Sequence, residues 1–209
     1  MKGKTMKTQH IQIGMIPAIL YGEPAQRGYL FLHGQMGHKE EAAAFALIAC
    51  PQGYQVLSID LPGHGERQNR DEVFTPWTAV PDIQAALYWS KQHWKTVSLR
   101  ANSIGAYFAM LALDTPRRAL LVSPIVDMER LILTMMGWAG VSEEQLKEQG
   151  EIATSFGQTL SWTYLCWVRE HPVHHWDCPI CILYGSGDNM TPRHTVEEYT
   201  HQHNAKLTV

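Results

Sequence analysis

The sequence predicts a three-layer α/β/α domain built on a mostly parallel β-sheet. Five short apolar runs, each bounded by glycine, proline or polar residues, are typical of strands that are covered on both faces. They lie at residues 29–33, 55–60, 96–101, 119–123 and 180–184. Helical patterns separate these runs, and such alternation favours a parallel sheet. With 209 residues, the chain is long enough for one domain with its own hydrophobic core.

Four segments between the apolar runs predict helices that pack against the sheet. They span residues 40–50, 82–93, 103–113 and 191–203. The last of them opens with Thr191 as an N-cap and Pro192 at the first helical position. Residues 8–21 precede the parallel strands, and we expect them to form an antiparallel hairpin at one edge of the sheet.

Residues 126–176 interrupt the alternation, because they carry helical patterns and no clear strand. The predicted helices span residues 127–138, 143–150 and 160–168. Ser142 followed by Gln145 resembles a capping box at the start of the second helix. We therefore divide the chain into an α/β core, residues 1–125 and 177–209, and a helical cap insertion, residues 126–176. Its aromatic side chains either pack against the core or line a pocket.

The composition argues against several classes of protein. Lys and Arg number 17 against 20 Asp and Glu, a net charge of −3, whereas nucleic-acid binding needs a concentrated basic surface. No apolar run approaches the ~18 residues of a membrane span, and the N-terminus lacks a secretory signal pattern, so we expect a cytoplasmic protein. Cys178 and Cys181 form a C-x-x-C pair without the second pair of a zinc ribbon. We interpret them as strand cysteines and expect neither a metal nor an organic cofactor.

The strongest chemical signal is the turn Ala101-Asn102-Ser103-Ile104-Gly105, which follows a predicted strand and opens a predicted helix. In a sharp strand–turn–helix the first and last residues pass close to each other, so both must be small. The turn projects Ser103 above the sheet at a helix N-terminus, where the partial positive charge favours an anion. We therefore predict that Ser103 is a nucleophile.

A glycine-rich loop, HGQMG at residues 33–37, directly follows the first parallel strand. Its glycines let the backbone turn close to a substrate carbonyl group. The backbone N–H of Gln35 or Met36, together with that of Ile104, is then placed to hold a developing oxyanion.

Two further loops follow strands at the same predicted end of the sheet. In LPGHG, residues 61–65, we interpret His64 and the preceding Asp60 as supports of the loop. The loop YGSGD ends in Asp188. A carboxylate there can orient a histidine through its Nδ1–H, and the chain order of serine before aspartate fits a Ser…Asp…His triad. The alternative is a turn aspartate that caps the following helix.

Together these motifs resemble the α/β-hydrolase superfamily in order and spacing over residues 29–209. The resemblance implies that Ser103 is the nucleophile and Asp188 the acid of a triad. It also implies that the oxyanion donors are Ile104 and either Gln35 or Met36. It also implies a helical cap and a histidine on a loop after the final strand. Residues 206–209 resemble the start of that strand, so we expect a C-terminally truncated chain whose catalytic histidine lies beyond its end.

Two alternatives to truncation stay open for the histidine that this resemblance requires. A natural short form can lose catalysis and keep a binding role, or a base can come from a partner or from elsewhere in the chain. His194 and the pair His174-His175 are the histidines that we consider for that second role.

The resemblance implies a serine hydrolase that acts on a carboxylic ester, or on a thioester or amide, through an acyl-enzyme at Ser103. The partner is then a small-molecule substrate with an apolar acyl group. The alternative function is a non-catalytic protein of the same fold that binds a small apolar ligand. A truncated sheet also exposes apolar surface, which favours a homodimer.

Overall fold

The computed structural model describes residues 6–209 and confirms the predicted architecture. The strands are β1 (Thr8–Ile13), β2 (Ile16–Tyr21), β3 (Arg27–Leu32), β4 (Gln55–Ile59), β5 (Thr96–Asn102), β6 (Ala119–Val122), β7 (Glu151–Ala153), β8 (Thr159–Ser161), β9 (Ile180–Leu183) and β10 (Lys206–Thr208). Eight of them form one sheet in the order β1-β2-β4-β3-β5-β6-β9-β10. From β4 to β10 all neighbours are parallel.

The predicted N-terminal hairpin is confirmed at the edge of the sheet. Strands β1 and β2 pair antiparallel over their full length, from Thr8 opposite Tyr21 to Ile13 opposite Ile16. Strand β2 then pairs antiparallel with β4. The hairpin therefore extends the parallel sheet on one side, while β10 forms the other edge.

Helices cover both faces of the sheet. They are α1 (Ala42–Ala49), α2 (Pro76–His93), α3 (Ser103–Ala112), α4 (Met128–Ala139), α5 (Glu143–Gln149), α6 (Trp162–Glu170) and α7 (Arg193–Gln202). The buried side chains of α2, α3 and α7 belong to one large apolar core, and those of α1 belong to a smaller core on the opposite face. Within the described residues, no helix is both long enough and apolar enough to cross a membrane.

Several helices start a few residues away from their predicted positions, and α2 and α7 show the physical reason. Helix α2 begins at Pro76 rather than at residue 82, because Thr75 and Thr78 form a capping box around a proline at the first helical position. Helix α7 begins at Arg193, and Pro192 is its N-cap. The ψ angle of Pro192 is 141°, which is extended rather than helical, so the helix starts one residue later than predicted.

Residues 126–176, the predicted cap insertion, contain the three predicted helices, α4 to α6, and the capping box at Ser142 and Gln145 is present. The expected absence of strands was wrong, since β7 and β8 form a small antiparallel hairpin. Its strands have three residues each, too few to show an alternating pattern. The turn depends on Gly157, whose φ is +91°, and on the Thr154 N–H, which donates to the Gln158 carbonyl over 3.0 Å.

The sheet face that carries α1 leaves apolar side chains accessible. Leu183 of β9 is 54% exposed, and Leu47 and Ile48 of α1 are 65% and 64% exposed. The expected homodimer stays a prediction.

Gly28 in β3 provides a test of the packing between the sheet and the indole ring of Trp94. A Cβ at this position would overlap the ring, and Trp94 is 4% exposed, so it has no room to move away. We predict that Gly28→Ala lowers the free energy of unfolding by about 2 kcal/mol or more. Chemical denaturation measures this change.

The matched control for this test is Gly137→Ala in α4. An added Cβ there meets no atom within 4 Å, and alanine is the better helix former, so stability should rise by up to about 1 kcal/mol. Equal effects of the two substitutions would contradict the packing argument.

Candidate active site

Ser103 lies at a strained turn between a strand and a helix. Strand β5 ends at Asn102, and Ser103 is the first residue of α3. Its φ is +48°, a conformation that costs an ordinary residue roughly 1–2 kcal/mol. Such strain persists only where the surrounding structure holds it, and it is frequent at functional sites.

The loop after β3 passes very close to this turn. A Cβ on Gly105 would overlap the carbonyl oxygen of His33, and one on Gly34 would lie 3.2 Å from the Cβ of Ser103. Ala101, before the turn, is fully buried. The crossing therefore requires small residues at these positions, and it places the backbone of residues 33–37 beside the serine.

His33 is a buried structural residue that joins two loops. Its Nδ1–H donates to the Gly34 carbonyl over 2.8 Å, and its Nε2 accepts the N–H of Leu61 over 3.1 Å. Burial lowers the pKa of His33 to about 4, and neighbouring His64 adds a smaller effect in the same direction. The hydrogen bond to Gly34 opposes this shift. The ring is therefore neutral at pH 7.

His64 repeats this arrangement one loop further on. Its Nδ1–H donates to the Pro62 carbonyl over 2.7 Å, and its Nε2 accepts the N–H of Met36 over 3.0 Å. The amide of Met36 is thus occupied, and Met36 itself has a φ of +60°. Of the two predicted loop donors, Gln35 and Met36, this geometry therefore leaves the amide of Gln35 available.

A buried carboxylate, Asp60, fixes the start of the segment that follows the 33–37 loop. Asp60 is fully buried; its Oδ1 accepts the N–H of Lys39 and its Oδ2 accepts Nζ of the same residue, both over 2.8 Å. Lys39 also contacts Glu40 at 3.0 Å and Glu66 at 2.8 Å. Burial opposes the lysine charge, but the hydrogen bonds to these carboxylates hold its pKa above its ordinary value. Sequence reasoning missed Lys39, since a lysine followed by two glutamates resembles a solvated surface.

Gly65 completes this support, because a Cβ there would overlap the carboxylate of Asp60. Its φ is +54°, and the following N–H of Glu66 donates to Asp60 Oδ2 over 3.0 Å. Asp60 therefore holds the loop after β4 as well as Lys39, in agreement with the interpretation of Asp60 as a support.

Asp188 lies half-buried in the loop between β9 and α7. Its Oδ1 accepts the N–H groups of Met190 and Thr191 over 2.9 and 3.3 Å, so the carboxylate organises the turn before the helix. Among residues 6–209, its Oδ2 has no hydrogen-bond partner. The turn role that we considered as an alternative is therefore present, and it leaves one oxygen available for a further donor.

Ser123, at the end of β6, connects to this acidic loop and was missed by sequence reasoning. Its φ is +40°. Its N–H donates to the Leu183 carbonyl over 2.8 Å, and its Oγ accepts the N–H of Gly185 over 3.3 Å. The strained backbone thus anchors the loop that carries Asp188. The only sequence signal was a serine at the end of an apolar run.

Among the described residues, none of the histidines that we considered as the base forms a hydrogen bond with Ser103 or Asp188. His174 bonds to the Met110 and Leu113 carbonyls at the opposite end of α3 from Ser103. That helix has ten residues and is therefore about 15 Å long. His175 stacks on His203, with ring centroids 4.6 Å apart, and His194 is exposed.

We find no cluster of three or more His, Cys, Asp or Glu side chains that could hold a metal ion in the part of the chain that the structure describes. Cys178 and Cys181 are both free thiols. Burial raises the pKa of Cys178, which keeps it protonated and unreactive at neutral pH.

The buried neutral state of His33 predicts a pH dependence of stability. In the unfolded chain His33 binds a proton near pH 6.5, but in the folded protein only near pH 4. The contribution of neutral His33 to the free energy of unfolding is therefore fully present above about pH 6.5. It falls by about 3 kcal/mol as the pH decreases toward 4. Urea denaturation of wild type and of His33→Gln at pH 7, 6 and 5 measures the difference in slope. His10→Gln, on exposed strand β1, is the control and should keep the wild-type slope; an unchanged slope in His33→Gln would contradict the assignment.

Comparison with solved structures agrees with the fold. The structure of Est1E from Butyrivibrio proteoclasticus with bound ferulic acid superposes with a TM-score of 0.73 at 19% identity, covering 96% of this chain and 88% of that one. A putative hydrolase from Agrobacterium vitis S4 has a TM-score of 0.73 at 17% identity, with 98% and 90% covered. A thioesterase domain from the curacin biosynthetic pathway has a TM-score of 0.58 at 16% identity, with 98% and 92% covered. At these identities the similarity shows a shared fold.

No curated protein matches the sequence. The sequence profile described as the alpha/beta hydrolase family matches residues 29–208, which is most of the chain and includes the serine turn and the three loops around it. The chain therefore belongs to the alpha/beta hydrolase family.

Proposed function

We propose that this protein is a serine hydrolase that cleaves carboxylic esters through an acyl-enzyme at Ser103, with thioesters and amides as chemically related substrates. The observation that carries the proposal is the strained position of Ser103. Ser103 is the first residue of α3 and has a φ of +48°. The 33–37 loop lies so close to this turn that a side chain at Gly105 would overlap the loop backbone. A sharp strand–turn–helix of this kind exposes the hydroxyl at a helix N-terminus.

The proposed oxyanion donors are the backbone N–H groups of Gln35 and Ile104. Ile104 is the second residue of α3, so its N–H has no partner within the helix. Gln35 lies in the loop that passes beside Ser103, and the neighbouring Met36 amide is held by His64. Two fixed donors cost no reorganisation when the negative charge develops on the substrate oxygen.

The proposed role of Asp188 is to orient a histidine that acts as general base. Oδ1 is fixed by two backbone N–H groups, which leaves Oδ2 to accept the Nδ1–H of the imidazole and to stabilise the imidazolium. The histidine takes the proton of Ser103 as Oγ attacks the carbonyl carbon, and returns it to the leaving alcohol. Water then attacks the acyl-enzyme in the same way and releases the acid.

His33 and His64 are unsuited to this role. Both nitrogens of each ring are engaged with backbone groups, and burial holds His33 in its neutral form. We propose that the base is a histidine outside the described residues.

The names of the similar structures support an acyl-transfer substrate. Est1E was solved with ferulic acid, a carboxylic acid, and another of the similar domains is described as a thioesterase. In both cases an acyl group is the common element, which is the group that Ser103 would carry in this chain.

Labelling with a fluorophosphonate probe tests the nucleophile. The activated serine Oγ displaces fluoride and forms a covalent phosphonate, which intact-mass measurement detects. We predict a single adduct that Ser103→Ala abolishes and that Ser155→Ala, at an exposed serine in the β7–β8 turn, retains. In a form that carries the proposed base, Asp188→Asn should slow labelling by about 10⁴-fold, because the imidazole loses its orienting carboxylate.

The same measurement on a form extended past Val209 tests the proposed base. Faster labelling of the extended form than of the 209-residue chain would agree with a histidine from outside the described residues. If neither form is labelled, the catalytic proposal is wrong, and the non-catalytic binding function replaces it.

A further inference from the structure

The sheet face that carries α1 is covered by a helix over only part of its width. Helix α1 packs against β2, β3 and β4, and the buried side chains of every other described α-helix belong to the core on the opposite face. Strands β5, β6, β9 and β10 therefore have no described helix above them on this face. These four neighbouring strands span about 14 Å, which is wide enough for one further helix.

The uncovered strands present two rows of side chains, which we call the open face. The pairing registers define one row as Arg100, Leu120, Cys181 and Lys206, and the other as Asn102, Val122, Leu183 and Thr208. The middle of both rows is apolar, and Leu183 is 54% exposed. An apolar strip with polar and basic ends has the anatomy of a protein–protein interface.

Arg100 is a partly buried cation at one end of the open face. Its guanidinium lies over the rings of Phe31 and Phe45, at 5.6 and 5.9 Å from their centroids. Its Nη1 donates to the Ala101 carbonyl and to Asn102 Oδ1. Burial lowers the pKa of Arg100 to about 10, and no carboxylate among the described residues offsets this effect. Because a charge taken out of water without a counter-ion is unfavourable, the open face favours a partner that brings a carboxylate to Arg100.

The outer side of α1 has the complementary properties. Ala44, Leu47 and Ile48 lie on one side of the helix, at i, i+3 and i+4, and all three are exposed. Glu41, directly before the helix, is also exposed and forms no ion pair within the part of the chain that the structure describes. An apolar stripe that begins at an unpaired carboxylate matches the open face in both hydropathy and charge.

A two-fold axis brings these two surfaces together twice. Helix α1 and the open face lie side by side on the same sheet face. Rotation of a second copy by half a turn about an axis parallel to the strands therefore places each α1 over the open face of the other copy. This rotation keeps the carboxyl ends of the strands together. Glu41 follows the loop at the carboxyl end of β3, and Arg100 lies near the carboxyl end of the parallel strand β5, so the two charges come to the same level.

We propose that the open face is a homodimer interface in which α1 of a second copy packs on β6 and β9 and its Glu41 pairs with Arg100. A second copy is the partner because this chain itself carries the matching surface. The inference does not depend on the proposed function, and it gives the expected homodimer a defined interface.

Sedimentation velocity of the full 209-residue chain tests the association. We expect twice the mass of one chain at about 50 µM, and dissociation on dilution. Leu183→Lys puts a charge into the apolar strip at an exposed position and should leave a monomer. Tyr88→Lys is the matched control, because Tyr88 is 69% exposed on α2, and it should stay dimeric. A monomeric wild type, or a dimer that survives Leu183→Lys, would overturn the inference.

Charge reversal tests the ion pair. Glu41→Lys places two cations opposite each other and should raise the dissociation constant at least about 10-fold. Glu148→Lys, at an exposed position of α5, changes the net charge equally and should leave the dissociation constant unchanged. Equal effects of the two substitutions would contradict the pairing of Glu41 with Arg100.

A disulfide tests the position of α1. Within one chain, α1 packs over β2 to β4, and β9 is three strands away from β3, about 14 Å, so Leu47→Cys cannot reach Cys181 of its own chain. In the proposed dimer Cys181 of the second copy lies under α1. We expect oxidation with copper phenanthroline to give a covalent dimer on a non-reducing gel, and additional Cys181→Ser to remove it. No covalent dimer, or one that persists without Cys181, would refute this docking.

A form extended past Val209 distinguishes a second copy from a further segment of the same chain. Dimerisation of the extended form that Leu183→Lys abolishes would support the proposal. A monomeric extended form would mean that the added segment occupies the open face, and the proposed dimer would then be wrong.

Discussion

The close approach between the end of β3 and the turn after β5 is the constraint on which the site depends. The carbonyl of His33 occupies the space that a side chain at position 105 would need, and Gly34 lies against Ser103. This contact forces the serine into a left-handed conformation and places the backbone of the 33–37 loop beside it. The same crossing therefore produces the strain at the proposed nucleophile and the proximity of the proposed oxyanion donors.

A network of buried polar groups keeps that contact in place. Asp60 and Lys39 are each at most 1% exposed, and taking two charges out of water is costly unless further hydrogen bonds satisfy them. Here the Asp60 carboxylate accepts the backbone N–H groups of Lys39 and Glu66 in addition to the lysine ammonium group. The neutral ring of His33 and the ring of His64 join the same two loops through backbone groups. Such a network fixes the geometry of the two loops more than it raises the free energy of unfolding.

Adjacent strands end in two strained serines with different surroundings. Ser103 after β5 begins a helix, whereas Ser123 after β6 anchors the loop of Asp188 through Gly185. Because β5, β6 and β9 are parallel neighbours, their carboxyl ends meet at one edge of the sheet. The sheet thus gathers Ser103 and the Asp188 loop from residues that are 85 positions apart in the sequence.

Local sequence determined the strands of the sheet, the terminal hairpin and the type of every major helix, because the apolar periodicity and the turn residues act within a few positions. It also identified the Ser103 turn and the loops around it, since glycine and small residues mark close backbone crossings. Only the tertiary structure decided that His64 occupies the Met36 amide, that Lys39 is buried against Asp60, and that Arg100 is left without a carboxylate partner within the described residues. These features depend on which side chains, distant in the sequence, come into contact after folding. A local sequence pattern does not specify such contacts.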